Sequence, residues 1–185
     1  MREWLSAAWR SDMWHKFSLA FVAAFAVFPL GSAIAQVGES GYSLPLALAV
    51  KAATKAIVTR ASNGYPVSAV VVDTSGVIKL EAKGDHSTIH TTTTAFRKAY
   101  TVVTFGPIFR FDASSAFAEL AAKNPNGAAL ATLPNIAPLA GGVAIKVKDE
   151  VVAALGVSGS PGGDKDEACA QAGVVSIKDD LASSR

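Results

Sequence analysis

The sequence predicts an α+β protein, an antiparallel sheet with helices packed on it, and three observations carry that reading. Two β-branched hairpin patterns, 67–83 and roughly 142–157, lie far apart in the chain. Segments with apolar residues at helical spacing precede, separate and follow them. The 185 residues are 50% hydrophobic and only 17% charged, enough apolar material to close one core. Hairpins interrupted by helices imply antiparallel pairing, whereas a doubly wound fold would alternate single strands with helices.

The first element is a leader. Arg2, Arg10 and Lys16 precede the apolar run "FSLAFVAAFAVFPL", and small residues at Ala33 and Ala35 follow, a pattern that predicts a signal peptide over 1–35 and a mature domain over 36–185. The run is shorter than the roughly 20 residues that span a bilayer, and Pro29 interrupts its end. The expected location is therefore exported, periplasmic or secreted, with no membrane attachment after cleavage. All three tryptophans fall in the leader and are set aside.

Along the expected mature chain, Leu44 to Ala61 carries apolar residues at helical spacing and stops at Asn63-Gly64. "VSAVVVD" and "VIKLEAK" flank a turn at Ser75-Gly76, with Asp73 positioned to hydrogen-bond the turn backbone. Asp85 is the expected N-cap of a second helix reaching Phe105, with Ile89, Phe96, Tyr100 and Val103 on its inner face. A short helix over Asp112 to Asn124, a Pro- and Gly-punctuated loop with at most one short strand, a hairpin of "GVAIKV" and "VVAALGV", and a last helix from Asp164 to Leu181 complete the order.

Composition excludes several functions. Three of the 17 basic and two of the 15 acidic residues leave with the leader, so the remainder is nearly neutral at 14 against 13. That is no footprint for nucleic acid. One thiol, Cys169, rules out an intramolecular disulfide, and its alanine-rich setting reads as a small buried hydrophobe.

Three segments carry a resemblance. "GDHSTIHTTTTAFRKAYT" fits G-D-x-x-x-x-H-T followed by A-x-x-K-A-Y-T; "LAGGVAI" is similar to G-G-x-P-I, with Ala144 in place of the proline; and "ALGVSGSPGGDKDEACAQAG" fits G-V-S-G-x-P-G-G-x-x-D-E-x-C-A. Together they resemble the GlcG/HbpS family, called haem-degrading or haem-binding, over Tyr42 to Leu181. The resemblance implies a profilin-like sheet flanked by helices, assembly into homo-oligomers, and binding of haem or, less often, a corrinoid.

The residues themselves give two readings of the opening motif. On a helix from Asp85, His86 and His90 stand four apart with Cβ atoms about 5–6 Å from each other, and Arg97 falls on the same face. An imidazole for iron and a guanidinium for a propionate suit haem, with His90 the first candidate ligand, His86 the second, and Arg97 or Lys98 on the propionates. The competing reading is a solvated helix start, since His and Thr there can bond water or free backbone groups. No methionine remains after the leader, so the other iron ligands available are tyrosine and Cys169. A histidine pair without a third ligand does not make a zinc site.

The glycine-rich loop 156–163 has neither the Gly-Lys-Ser/Thr ending of a phosphate cradle nor the G-x-S-x-G of a hydrolase elbow, and Asp164, Asp166 and Glu167 are expected to start the last helix and to repel anions. No catalytic residue is assigned. A haem-binding protein is the first expectation; an oxidative haem-degrading enzyme and an oligomeric accessory protein are the alternatives. The alanine-rich first helix "LALAVKAATKAIV" offers a surface on which another copy could pack closely.

Overall fold

The computed structural model describes residues 41–62 and 64–183; the expected leader lies outside them. The elements are α1 (Leu46–Ala61), β1 (Ser68–Asp73), β2 (Ile78–Lys83), α2 (Thr91–Phe109), α3 (Ser114–Lys123), α4 (Gly127–Ala131), β3 (Gly142–Val147), β4 (Glu150–Ser158), α5 (Gly163–Val175) and α6 (Lys178–Ser183). The four strands form an antiparallel sheet in the order β2-β1-β4-β3. The expected α+β architecture holds.

Alternation along β1 explains the layers. Ala69 and Val71 face one side, packing with the alanines of α1 and with Cys169 and Ala170 of α5. Val70 and Val72 face the other, against Ala95, Ala99, Val102 and Val103 of α2. Covered on both faces and paired on both edges, β1 reads as an unbroken apolar run. Edge strand β2, with Lys79, Glu81 and Lys83, has no fully buried residue. A third cluster of Phe105, Phe117 and Ile136 fills the space under α3.

Small residues set the spacing of the layers. A Cβ on Gly156 of β4 would lie 1.9 Å from the Ala95 carbonyl oxygen, so only glycine lets α2 lie this close to the sheet. On the opposite face Ala49, Ala52, Ala53 and Ala56 of α1 are fully buried. The alanine stripe expected to receive another copy is thus taken up by the chain's own core. Its close packing stabilises one subunit.

Three boundaries differ from the sequence reading. Helix α2 begins at Thr91 with His90 as its N-cap, not at Asp85, and runs on to Phe109 through Pro107. Ile89, expected on the inner face, precedes the helix and is 90% exposed. The last helix is two, because the Ser176 hydroxyl bonds the Gly173 carbonyl and buried Ile177 turns into the core where one straight helix would have continued. The expected loop after α3 also contains α4, and no strand forms among its described residues.

Candidate functional site

Ser68, first residue of β1, organises the segment that carries the histidines. Its buried hydroxyl lies 2.9 Å from that of Ser87 and 2.7 Å from that of Thr91, while Thr91 Oγ1 also bonds the Thr88 carbonyl at 2.7 Å. Gly84 N–H donates to the Val67 carbonyl, and Ser87 N–H to that of Gly84. These bonds hold 84–90 as a turn and delay the helix by one and a half turns. The residues that do so, Ser87 and Thr91, are the buried polar members of an otherwise exposed segment.

His86 therefore sits in the turn with φ 61°, a left-handed conformation uncommon outside glycine. It is exposed, as is His90. The helical face that the i, i+4 spacing predicted does not exist, because neither residue lies within the helix. His90 heads α2, its Nδ1 3.3 Å from Thr88 Oγ1, and its Nε2 makes no hydrogen bond among the described residues. An imidazole held at one nitrogen and open at the other is the usual arrangement of a metal-ligating histidine.

Arg97 and Lys98 part company. Arg97, half-buried about two turns into α2, donates from Nη2 to the Ile136 carbonyl, and beside it Thr101 Oγ1 accepts from Ala137 N–H at 2.9 Å. The guanidinium still has further N–H groups. Lys98, the other candidate for a propionate, lies on the buried side of α2. Its ammonium donates to Asp166 Oδ2 at 2.8 Å and to the Val157 carbonyl at 3.1 Å, with both side chains 3% exposed. In that position it is the counter-ion of Asp166 and is closed to a propionate.

The acids of α5 do more than meet a helix dipole. Asp166 Oδ1 accepts from Ser160 N–H, and Glu167 accepts from Ser115 N–H, Ser115 Oγ and Gly141 N–H. The D-E pair of the third motif thus ties the loops before β3 and after β4 to helices α2, α3 and α5. Cys169 is buried as expected; desolvation raises its thiol pKa, with Arg60 pulling the other way and Asp166 adding to the rise. A buried thiol held in its neutral form is a poor iron ligand. Of the tyrosines, Tyr100 packs tilted against Phe96, ring centres 5.5 Å apart, and covers Gly76.

Sequence reasoning missed Arg60, buried in the last turn of α1 over the Tyr65 ring, because an arginine there reads as a solvated helix end. It also gave no sign of a cavity of about 410 Å³ at the far end of α2, bordered by Val103, Arg110, Phe111, Lys146 and Glu150. None of His86, His90, Arg97 and Lys98 borders it. The histidines occupy the opposite end of the sheet, an exposed and polar edge.

The family described as haem degrading protein HbpS-like matches residues 44–175. A double mutant of HbpS from Streptomyces reticuli is similar at 34% identity and TM-score 0.66, over 72% of this chain and 86% of that one. A further HbpS structure matches at the same identity and TM-score, over 72% and 89%. A PduOC:haem complex matches at 18% identity and TM-score 0.65, over 74% and 96%, a likeness of fold alone. No curated protein matches the chain.

Proposed function

This chain belongs to the HbpS-like family, and on that premise we propose that it is an exported haem-binding protein in which His90 is the axial ligand. One observation carries the proposal beyond family membership: His90 is exposed at the head of α2, with Nδ1 beside Thr88 and Nε2 without a hydrogen-bond partner among the described residues. In the tautomer with the proton on Nδ1, Thr88 Oγ1 accepts it and Nε2 is free for iron. His86 is the second candidate, in the same segment and exposed. Arg97 keeps spare donors for a propionate. Bound haem would supply the iron; the chain supplies the imidazole, the second nitrogen's partner and the rigid Ser68–Ser87–Thr91 support beneath.

We further propose that 1–35 are removed on export, and that the protein assembles as a homo-oligomer whose neighbours shield the exposed haem edge. Exposed Leu46, Val50 and Val58 on the outer side of α1 favour assembly. Intact mass in the exported fraction checks the first, with a start near Gln36 expected. Light scattering at micromolar concentration checks the second, and a monomer would remove it.

The deciding experiment titrates haem into the protein with and without a reductant and oxygen. A stable Soret shift under both conditions is the expected result. Bleaching with iron release would make haem the substrate of a degrading enzyme, and no spectral change would leave an accessory protein without a retained ligand.

A further inference from the structure

Two buried polar atoms among the described residues have no hydrogen-bond partner, Arg60 Nε and Ser160 Oγ. Both border one corner of the molecule. The Arg60 guanidinium lies 4.7 Å from the centre of the Tyr65 ring, and Lys165 Nζ approaches the same ring at 6.0 Å. The loop bearing Ser160 packs onto Pro66, where a Cβ on Gly159 would meet the carbonyl at 2.5 Å. Ser160 N–H bonds Asp166, and both Asp166 and Arg60 act electrostatically on Cys169, one turn beyond Lys165.

Charge does not balance in this corner. Arg60 is 8% exposed and has no carboxylate partner among the described residues, and Asp166 is already neutralised by Lys98. A buried guanidinium over an aromatic ring recovers only part of its lost hydration. Glu167 is turned away onto Ser115 and Gly141, so the repulsion expected from the acids reduces to exposed Asp164 at the rim. Helix α5 starts here from Gly162, φ 115°, without a side-chain cap, and its free N–H groups add positive potential.

We propose that this corner binds an oxyanion, a carboxylate or phosphate group, held by Arg60 Nε–H, the Ser160 hydroxyl, the Lys165 ammonium and the first N–H groups of α5. The anion is either free or a propionate of the haem assigned above, and only the second source rests on that assignment. Tyr65 and Ser68 are three positions apart, a span of at most about 10 Å, and Ser68 holds the histidine segment. The corner and His90 therefore share one end of the sheet.

The test uses the full chain, with inorganic phosphate and with haem as separate probes, on the wild type, Ser160→Ala and Lys165→Gln. Among the described residues neither substitution removes a side-chain hydrogen bond or ion pair, and Lys165→Gln gives up only the approach to the Tyr65 ring. Saturable phosphate binding, weakened about tenfold by Ser160→Ala and about two- to fivefold by Lys165→Gln, supports a free anion whether or not haem binds. No phosphate binding, but the same losses in haem affinity with an unchanged haem spectrum, supports the propionate. Haem bound through His90 with affinity indifferent to both substitutions, and no phosphate binding, overturns the oxyanion site while keeping the haem reading. Absence of binding to either probe overturns both.

Discussion

Two regions of the same recurring motif, "GDHSTIHT" and "AFRKAYT", meet opposite fates. The first ends exposed, with two imidazoles in water at the edge of the sheet; the second sends Lys98 into the interior to meet Asp166. The comparison teaches that the lysine and the D-E pair in this chain are accounted for by the fold, leaving the histidine segment as the part free to take a ligand. A surface lysine can be lost at little cost. A buried one cannot.

The largest effect expected from that contrast is in the interior. Lys98→Ala leaves the Asp166 carboxylate buried and unpaired, and should cost about 3–5 kcal/mol in chemical denaturation. The double substitution Lys98→Met with Asp166→Leu should restore much of the loss, since two apolar side chains replace the pair. A cost below about 1 kcal/mol for Lys98→Ala, the scale of exposed pairs, would erase the contrast. Next comes Gly156→Ala, whose Cβ would collide with the Ala95 carbonyl; separating α2 from the sheet should cost about 1–3 kcal/mol, read from thermal unfolding.

The sequence made the interior's architecture legible and its chemistry illegible. The β-branched run in "SAVVVD" predicts a strand by its residue types, and the alanine spacing of α1 predicts a helix because burial imposes that period. Lys98 and Asp166 are 68 residues apart, and nothing local distinguishes a lysine that turns inward from one that snorkels to water. The start of α2 was misread for a related reason. Asp85 is a good N-cap by type, but the hydroxyls of Ser87 and Thr91 are drawn to Ser68 on a neighbouring strand, and that tertiary bond postpones the helix to Thr91.

A smaller effect separates the interior from the edge by pH. Burial holds the Cys169 thiol pKa above its ordinary value of 9.0, so the folded state binds that proton more tightly than the unfolded chain does. The resulting stability is complete below the unfolded value and is lost as pH rises through the folded one. Denaturation midpoints of wild type and Cys169→Ala should therefore converge above pH 9, and parallel profiles would show that the thiol holds its proton equally tightly in the folded and unfolded chain. Smallest of all should be the stability change in His90→Ala, within about 0.5 kcal/mol, because the side chain is exposed and supports no packing.

That last indifference makes the haem spectrum of His90→Ala the most direct test of the whole account. With the fold intact, loss of the axial imidazole should shift or abolish the Soret band, His86→Ala should do so less, and Arg97→Ala should weaken affinity while leaving the band where it was. An unchanged band and affinity in both His90→Ala and the double histidine variant would contradict the central claim, and the segment would then be no more than the polar approach to a helix.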